Sequence, residues 1–389
     1  MEANQDKLID EVRSSYARHF KDQTTPSLKL NIALSGGCDS MVLLHTLKQL
    51  ETELNLVLSA TYINHGLSEN AHQWQEFCAS SCDELDIPFA AKSINVEKIS
   101  ELGIEGAARE LRYQALASIS LGVVTTAHHQ NDQAETFILQ LIRGAGLKGL
   151  AGMPEFDPSN NIWRPLLRVQ RDDIEVFAKQ MHIKYIEDES NKDVRFDRNF
   201  IRRDILPALY ERFPHASKTI ARSANLIAEG LHLHQSIAEE DSQKYFSKNF
   251  TRLNLGMMQD LGHERVTNLI RWWLEKNGHK MPSLKVMQQI IKQLETIKKD
   301  AQIDIQLSKE ISVRAYKNEL WLVPIQKDKE SFEVYWQGQE EIILPDASTL
   351  IFKKQKGEGL SIKKLGDRLI RIQNRQGGER FKPFHNQPT

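Results

Sequence analysis

Six consecutive residues, Ser35-Gly36-Gly37-Cys38-Asp39-Ser40, have the composition of a phosphate site. Adjacent glycines let a backbone approach a ligand closely and take dihedrals closed to other residues. The residues that follow open a helix, whose first amide N–H groups lack partners and whose dipole is positive at that end. Ser35 and Ser40 add hydroxyl donors, so the segment is expected to bind an anion. Asp39 is the odd member. A carboxylate among phosphates is repelled unless a cation lies between them, which makes Asp39 an expected Mg2+ ligand. A plain Gly-Gly turn with Asp39 as a helix cap is the simpler alternative. An apolar stretch before the glycines and a helical pattern after them favour the phosphate site. The other common phosphate loop, G-x-x-x-x-G-K-[ST], is absent.

These residues must be carried by elements that bring them together. "LKLNIAL" (Leu28–Leu34) reads as a buried strand and Cys38 to Leu50 as a helix. "NLVLSATYIN", "IPFAAKSIN" and "GVVTTAH" read as further strands. "NAHQWQEFCASSCDEL", "EGAARELRYQALASIS" and "DQAETFILQLIRG" read as the helices between and after them, the last closed by Gly144 and Gly146. Strands spaced by helices imply right-handed crossovers and a doubly wound parallel α/β sheet. Ligands in such sheets bind beyond the carboxyl ends of the strands. Those ends carry Ser35-Gly36-Gly37, Asn64-His65-Gly66 and His128-His129, which are therefore expected around one crevice.

The alternation stops near Pro214. A long amphipathic helix is predicted from Ala216, with further helices over roughly 261–277 and 284–297. Three short strands follow ("AQIDIQL", "ISVRAY", "ELWLVP"), and the segment from about Asp328 looks like a small β-rich domain. The expected organisation is a catalytic domain over 1–215, a mainly helical domain over 216–327 and a small basic domain over 328–389.

The chain has 389 residues, enough for two or three cores. Hydrophobic and charged contents of 40% and 26% are those of a globular protein. No apolar run reaches membrane-spanning length, and the N-terminus resembles neither a secretory signal nor a transit peptide. Cys38, Cys78 and Cys82 include no C-x-x-C pair, which argues against structural zinc, a cluster or a redox dithiol. Cys78 and Cys82, four apart on a predicted helix, are expected to be buried core thiols in a reducing, cytoplasmic setting. Net charge is 51 − 52 = −1, yet charge is unevenly spread. From Lys192 to Arg222 there are eight Lys/Arg against four Asp/Glu, and from Lys363 to Lys382 seven against two. Such segments are either phosphate-binding faces or solvated surface.

S-G-G-x-D-S resembles the PP-loop of the ATP pyrophosphatase superfamily, whose fold is like that of the adenine nucleotide α-hydrolases. The resemblance implies cleavage of ATP between its α- and β-phosphates. Further strings narrow it: "YINHGLSENA" (Tyr62–Ala71), "GIEGAARELRY" (Gly103–Tyr113), "TAHHQNDQAETFILQLIRGAGLKGLAGM" (Thr126–Met153), "WRPLLRVQRDDI" (Trp163–Ile174), "IEDESNKDVRFDRNFIRRDILPAL" (Ile186–Leu209) and "RIQNRQGGERFKP". In this order they resemble the tRNA(Ile)-lysidine synthetases over nearly the whole chain. That family uses ATP and L-lysine to convert the wobble cytidine of the CAU-anticodon isoleucine tRNA to lysidine. Two motifs depart from the family pattern. H-H-x-D-D becomes His128-His129-Gln130-Asn131-Asp132, and E-D-P-S-N becomes Glu187-Asp188-Glu189-Ser190-Asn191. Asn131 therefore cannot act as a charged ligand or base. Relatives usually continue beyond Gly377-Gly378-Glu379-Arg380, which leaves the completeness of the last domain open.

The resemblance implies roles for particular residues. Ser35, Gly36, Gly37, Cys38, Asp39, Ser40 and His65 would contact the nucleotide, and Asp39 with Asp132 would hold Mg2+. The family's catalytic arginine maps to "AARELRY", where Arg109 and Arg112 lie three apart on one helix face. Free lysine has an ε-ammonium pKa of about 10.4 and must lose a proton to attack. His128 is the expected acceptor, with Asp132 or Glu135 as alternatives. Contacts to tRNA are expected from Arg195, Arg198, Asn199, Arg202 and Arg203, and in the tail from Lys363, Lys364, Arg371, Arg375 and Arg380. The oligomeric state, monomer or homodimer, is left open. The competing functions are PP-loop tRNA thiolation, which generally needs paired cysteines, and a non-catalytic RNA-binding module, which would not need Asp39 or Asp132.

Overall fold

The computed structural model describes residues 2–21, 27–64, 70–94, 122–187, 197–247, 249–296, 304–325, 332–345, 348–357, 359–366 and 369–373. The chain forms two compact units, Met1–Ser236 and Ile237–Thr389. Among the described residues, no helix is long and apolar enough to cross a membrane.

The first unit is built on a six-stranded sheet. Its strands are β1 (Leu28–Leu34), β2 (Leu56–Asn64), β3 (Phe89–Ser93), β4 (Val123–Thr125), β5 (Phe156–Asp157) and β6 (Ile162–Trp163), in spatial order β3-β2-β1-β4-β6-β5. β1 is central and, apart from exposed Lys29 and half-buried Ala33, buried along its length. Such near-continuous apolarity is expected of a strand covered on both faces. It pairs in parallel with β2 (Leu34 opposite Tyr62) and β4 (Ile32 opposite Thr125). The chain winds outward from β1 through β2 to β3, then returns to β4 on the other side of β1. The winding thus reverses between β1 and β4, and the loops leaving these two strands flank the crevice created there.

Helix α1 (Glu2–Phe20) precedes β1, α2 (Cys38–Leu50) follows it and α3 (Ala71–Glu84) follows β2. α4 (Gln130–Ile142), α5 (Leu147–Leu150) and α6 (Arg171–Gln180) come later. α2 is buried almost all round: Met41, Val42, Leu43, Leu44, Leu47 and Leu50 share one core with Leu8 and Val12 of α1 and Ile174 and Phe177 of α6. α7 (Asp197–Phe200) runs through a π-helical turn, Ile201–Ile205, into α8 (Leu206–Arg212). Pro207, near the start of α8, has no N–H to give to the preceding turn, and a widened turn there is a natural consequence. α9 spans Ala216–Tyr245.

The predicted bounds of β1 and α2 coincide with the observed ones. The sheet is doubly wound and parallel as expected, with one antiparallel edge strand, β5, paired with β6. The turn joining them is held by Asp157, whose Oδ1 accepts from the Ser159 amide at 3.1 Å. Two-residue strands carry no periodic signal. α1 and α6 were also not anticipated. The polar N-terminal helix is tied down by Leu8, Val12 and Phe20 in the core, and by Ser15, whose hydroxyl accepts from Trp163 Nε1 at 2.9 Å. The helix expected over 105–120 lies outside the described residues.

In the second unit, α10 (Met257–Asp260), α11 (His263–Lys276) and α12 (Leu284–Glu295) accompany a four-stranded antiparallel sheet. Its strands are β7 (Arg252–Asn254), β8 (Asp304–Gln306), β9 (Ile311–Tyr316) and β10 (Glu319–Pro324). Trp273, Leu269, Ile290 and Leu294 share a core with Val313 and Leu320 of the sheet. β8, β9 and β10 fall on the three short strands expected after the helices, and the helices pack on the sheet they form. β11 (Glu333–Trp336) pairs with β14 (Ile370–Gln373), β12 (Glu341–Ile343) pairs with β13 (Thr349–Ile351), and α13 is Ile362–Leu365.

Candidate active site

β1 ends at Leu34, and the chain turns through Ser35-Gly36-Gly37 into α2. Gly36 has φ +81°, which side-chain-bearing residues rarely adopt. A Cβ there would lie 3.2 Å from Ile186 Cδ1 and 3.3 Å from Cys78 Sγ, so both backbone and space select glycine. The Gly36 carbonyl accepts from the Ile186 amide at 2.9 Å, which fixes the back of the loop. Ser40 Oγ donates to the Gly37 carbonyl at 3.0 Å and accepts from the Ser35 amide at 3.3 Å. Gly37 occupies the N-cap position, and no side chain caps the helix. The first-turn amides of α2 are therefore available to an anion. The Cys38 thiol is buried in the core and burial pushes its pKa up to about 11, so only its backbone fits a nucleotide-binding role. Cys78 and Cys82 are free, fully buried thiols, as expected.

Asp39, the second residue of α2, is only half satisfied. Its Oδ2 is paired with Arg171 and lies 3.8 Å from His129 Nε2, whereas its buried Oδ1 has no hydrogen-bond partner. Burial raises the Asp39 pKa above the ordinary value, against the lowering influence of His129 and Arg171. Mg2+ is commonly held by one or two carboxylates together with phosphate oxygens and water. An unpartnered carboxylate oxygen beside a helix N-terminus fits that donor set. No group of three or more His, Cys, Asp or Glu among the described residues is placed to hold a metal alone.

The loop after β4, residues 126–129, forms the other wall. His129 caps α4. Its amide donates to Asp132 Oδ2 at 2.9 Å, and its Nε2 lies 3.4 Å from the same oxygen. Asp132 Oδ1 accepts from Arg198 Nη2 at 2.9 Å and Arg202 Nη2 at 3.0 Å. One turn along α4, Glu135 is 1% exposed and accepts from Arg198 Nε at 2.8 Å and Arg202 Nε at 2.6 Å. Two carboxylates and two guanidinium groups thus form a closed, neutral quartet. Burial alone would raise the Asp132 pKa, but His129, Arg198, His128 and Arg202 together hold it well below the usual aspartate range. Arg202 is likewise opposed by burial, yet its bond to Glu135 raises its pKa.

Two expectations change here. Both Asp132 oxygens are engaged by protein donors, which leaves Asp39 as the carboxylate suited to a metal. Arg198 and Arg202 point their guanidinium groups at Asp132 and Glu135, where a free basic face toward RNA was expected. Sequence signals could not separate these cases, since a basic helix face looks the same whether it meets solvent or buried carboxylates.

His128 Nδ1 is 2.8 Å from Thr126 Oγ1 at the crevice edge. Its neighbour His129, expected beside it at the crevice but given no role, has its Nε2 between Asp39 and Asp132. Arg171 carries no signal of its own in the sequence, although it lies within the family-like segment Trp163–Ile174. Asn131 donates from Nδ2 to Tyr210 Oη at 3.2 Å and accepts from the Arg171 amide at 3.1 Å, so it joins elements and is no acid. Asn199 is partly buried and Arg203 exposed. In the second unit Lys363 and Lys364 are exposed, and Arg371 lies 3.9 Å from Glu333. His65, Arg109, Arg112, Arg195, Arg375 and Arg380 lie outside the described residues.

A strand–glycine–helix anion site at the reversal point of a doubly wound sheet, with an under-satisfied aspartate beside it, defines a PP-loop ATP-binding protein. The PP-loop domain model accordingly matches residues 9–209. The TilS substrate binding domain model matches residues 253–321. A tRNA(Ile)-lysidine synthase of Nitrosomonas europaea is 34% identical over 97% of this chain and 83% of its own length. Those of Actinobacillus pleuropneumoniae (40%, covering 87% and 79%) and Coxiella burnetii (35%, covering 95% and 83%) are similarly related. The chain belongs to the tRNA(Ile)-lysidine synthase family.

Proposed function

We propose that this chain is a carbon–nitrogen ligase that makes lysidine at the wobble cytidine of the CAU-anticodon isoleucine tRNA. In the first step the cytosine 2-oxo oxygen attacks the α-phosphorus of ATP. An O–P bond forms, and pyrophosphate leaves. In the second step the ε-amine of L-lysine attacks C2. The C2–O bond breaks and AMP departs with that oxygen. The observation that carries this proposal is the uncapped start of α2 beside the half-satisfied carboxylate of Asp39.

Charge develops on phosphoryl oxygens in the first step, so catalysis is mainly positioning and electrostatic stabilisation. Backbone amides of Cys38, Asp39 and Ser40 would receive the phosphates, and Asp39 Oδ1 would be a ligand for Mg2+. The metal, when bound, supplies positive charge to the phosphates. The Asp132–Glu135–Arg198–Arg202 quartet ties the start of α4, which follows His128 and His129, to α7 and the π turn. His128 remains the proposed acceptor of the proton that lysine must lose, with His129 positioned between the carboxylates. One of Arg109 and Arg112 is the proposed catalytic arginine. The tRNA backbone is assigned to Arg195, Asn199 and Arg203 and to the basic tail, Lys363, Lys364, Arg371, Arg375 and Arg380. A single flipped-out base offers little selectivity, so contacts away from the crevice must discriminate among tRNAs.

The test uses the full chain with ATP, Mg2+, labelled L-lysine and an isoleucine tRNA carrying CAU. Each lysine joined to tRNA should be matched by one pyrophosphate and one AMP. Omitting tRNA or lysine should abolish AMP release. Nucleotide turnover that ignores lysine would move the assignment to another PP-loop modification.

A further inference from the structure

We propose that Arg171 is a positioning residue of the ATP site, a tethered cation that competes with the divalent metal for the Asp39 carboxylate. This rests on the assignment of Asp39 as the metal ligand. Arg171 is the first residue of α6, and the backbone around it is fixed. Its amide donates to Asn131 Oδ1 at 3.1 Å, and the Val169 carbonyl accepts from the Gln130 amide at 2.8 Å. These bonds stitch the start of α6 to the start of α4. Ile174, Phe177 and Ala178 then anchor α6 in the core it shares with α2.

The Arg171 side chain is 33% exposed, so it borders the crevice. Nη1 is paired with Asp39 Oδ2, while Nε donates to Glu175 Oε1 at 3.0 Å, one turn along the same helix. The Asp39 carboxylate needs neutralisation where it is largely withdrawn from water. Arg171 supplies that charge when no metal is present. A divalent ion on the same carboxylate would be repelled by the guanidinium. Glu175 provides a second anion on which the displaced group is retained. Arg171 therefore lowers the affinity of the metal alone and keeps the loop ordered until metal and phosphates arrive together.

The test titrates the full chain with Mn2+ alone, without nucleotide, at pH 8, and reads free Mn2+ by its magnetic resonance signal. Arg171→Ala should bind Mn2+ more tightly by about 10- to 100-fold, the range expected for removing one charge-assisted bond from the same carboxylate. Arg171→Met keeps the aliphatic stem in place and should show the same gain, which separates competition from a packing defect. Arg171→Lys, which restores the charge, should return affinity toward wild type. Asp39→Asn should abolish the Mn2+ site with or without Arg171. If Arg171→Ala and Arg171→Met bind Mn2+ no more tightly while Asp39→Asn still abolishes binding, the competition is wrong and Asp39 remains the ligand. If Asp39→Asn leaves Mn2+ binding intact, the metal assignment falls as well.

Discussion

Asp39 and Asp132 occupy similar places and are in opposite electrostatic states. Each lies in the first turn of a helix that follows one of two adjacent parallel strands, β1 and β4. Helix dipoles favour a carboxylate at both positions. The difference lies in what the fold brings to the oxygens. Asp132 receives a backbone amide and two guanidinium groups, and its pKa is depressed. Asp39 receives one guanidinium, keeps one buried oxygen unpartnered, and its pKa is raised. A completed carboxylate holds structure together, and an incomplete one is poised to take a cation. On the proposed assignment the two tasks are divided between two walls of the crevice.

The sharpest way to break this division is to remove each charge separately. Asp39→Asn should reduce lysidine formation by at least about 10²-fold, the scale of losing one preorganised electrostatic contact. It should leave thermal stability within about 1 kcal/mol, as expected for a partly exposed ion pair. Asp132→Asn should reduce activity severely and also destabilise the first unit by about 3 kcal/mol, because it leaves buried guanidinium charge uncompensated. Turnover and denaturant midpoints for both mutants decide the matter. Equal stability losses would mean that both carboxylates are structural.

A second contrast is the sign of the pH dependence. The folded pKa of Asp132 is depressed, so its contribution is fully present above the ordinary value of 3.8 and is lost as pH falls through the folded value. The folded pKa of Asp39 is raised, so ionising it costs stability, and that cost appears as pH rises from 3.8 through the folded value. The stability advantage of wild type over Asp132→Asn should therefore shrink in acid below about pH 4. Asp39→Asn should gain on wild type as pH rises over the range just above it. Denaturant titrations across acidic pH would show two slopes of opposite sign, and slopes of the same sign would contradict the assigned states.

The smallest effect is expected at Asn131. It carries no charge but joins Tyr210 to the Arg171 amide. Asn131→Ala should lower stability by roughly 1–2 kcal/mol, the range for lost hydrogen bonds at a partly buried site. Turnover should fall only a few-fold, far less than for Asp132→Asn. A loss of activity as large as that of Asp132→Asn would place Asn131 in the chemistry itself.

Local features were legible in the chain alone. Leu28–Leu34 and Cys38–Leu50 have their predicted limits because a buried strand and a buried helix each write their own apolar pattern. The loop itself was legible for the same reason: six contiguous residues contain both the glycine at φ +81° and the uncapped helix start. The family strings were equally local. What the chain alone did not determine is which charge meets which. Arg171 reaches Asp39 across 132 positions, and Arg198 reaches Glu135 across 63. No periodicity links such pairs. Arg198 and Arg202 read as a basic surface until α7 and the π turn set them against α4. His128 alone was given a role from the sequence, and only the cap of α4 placed His129 between the two carboxylates. Residue identity determined that acids, bases and an anion site were present. Only tertiary packing decided which oxygens were filled and which was left open, because the state of a carboxylate depends on donors and burial within a few ångströms, whatever their distance along the chain.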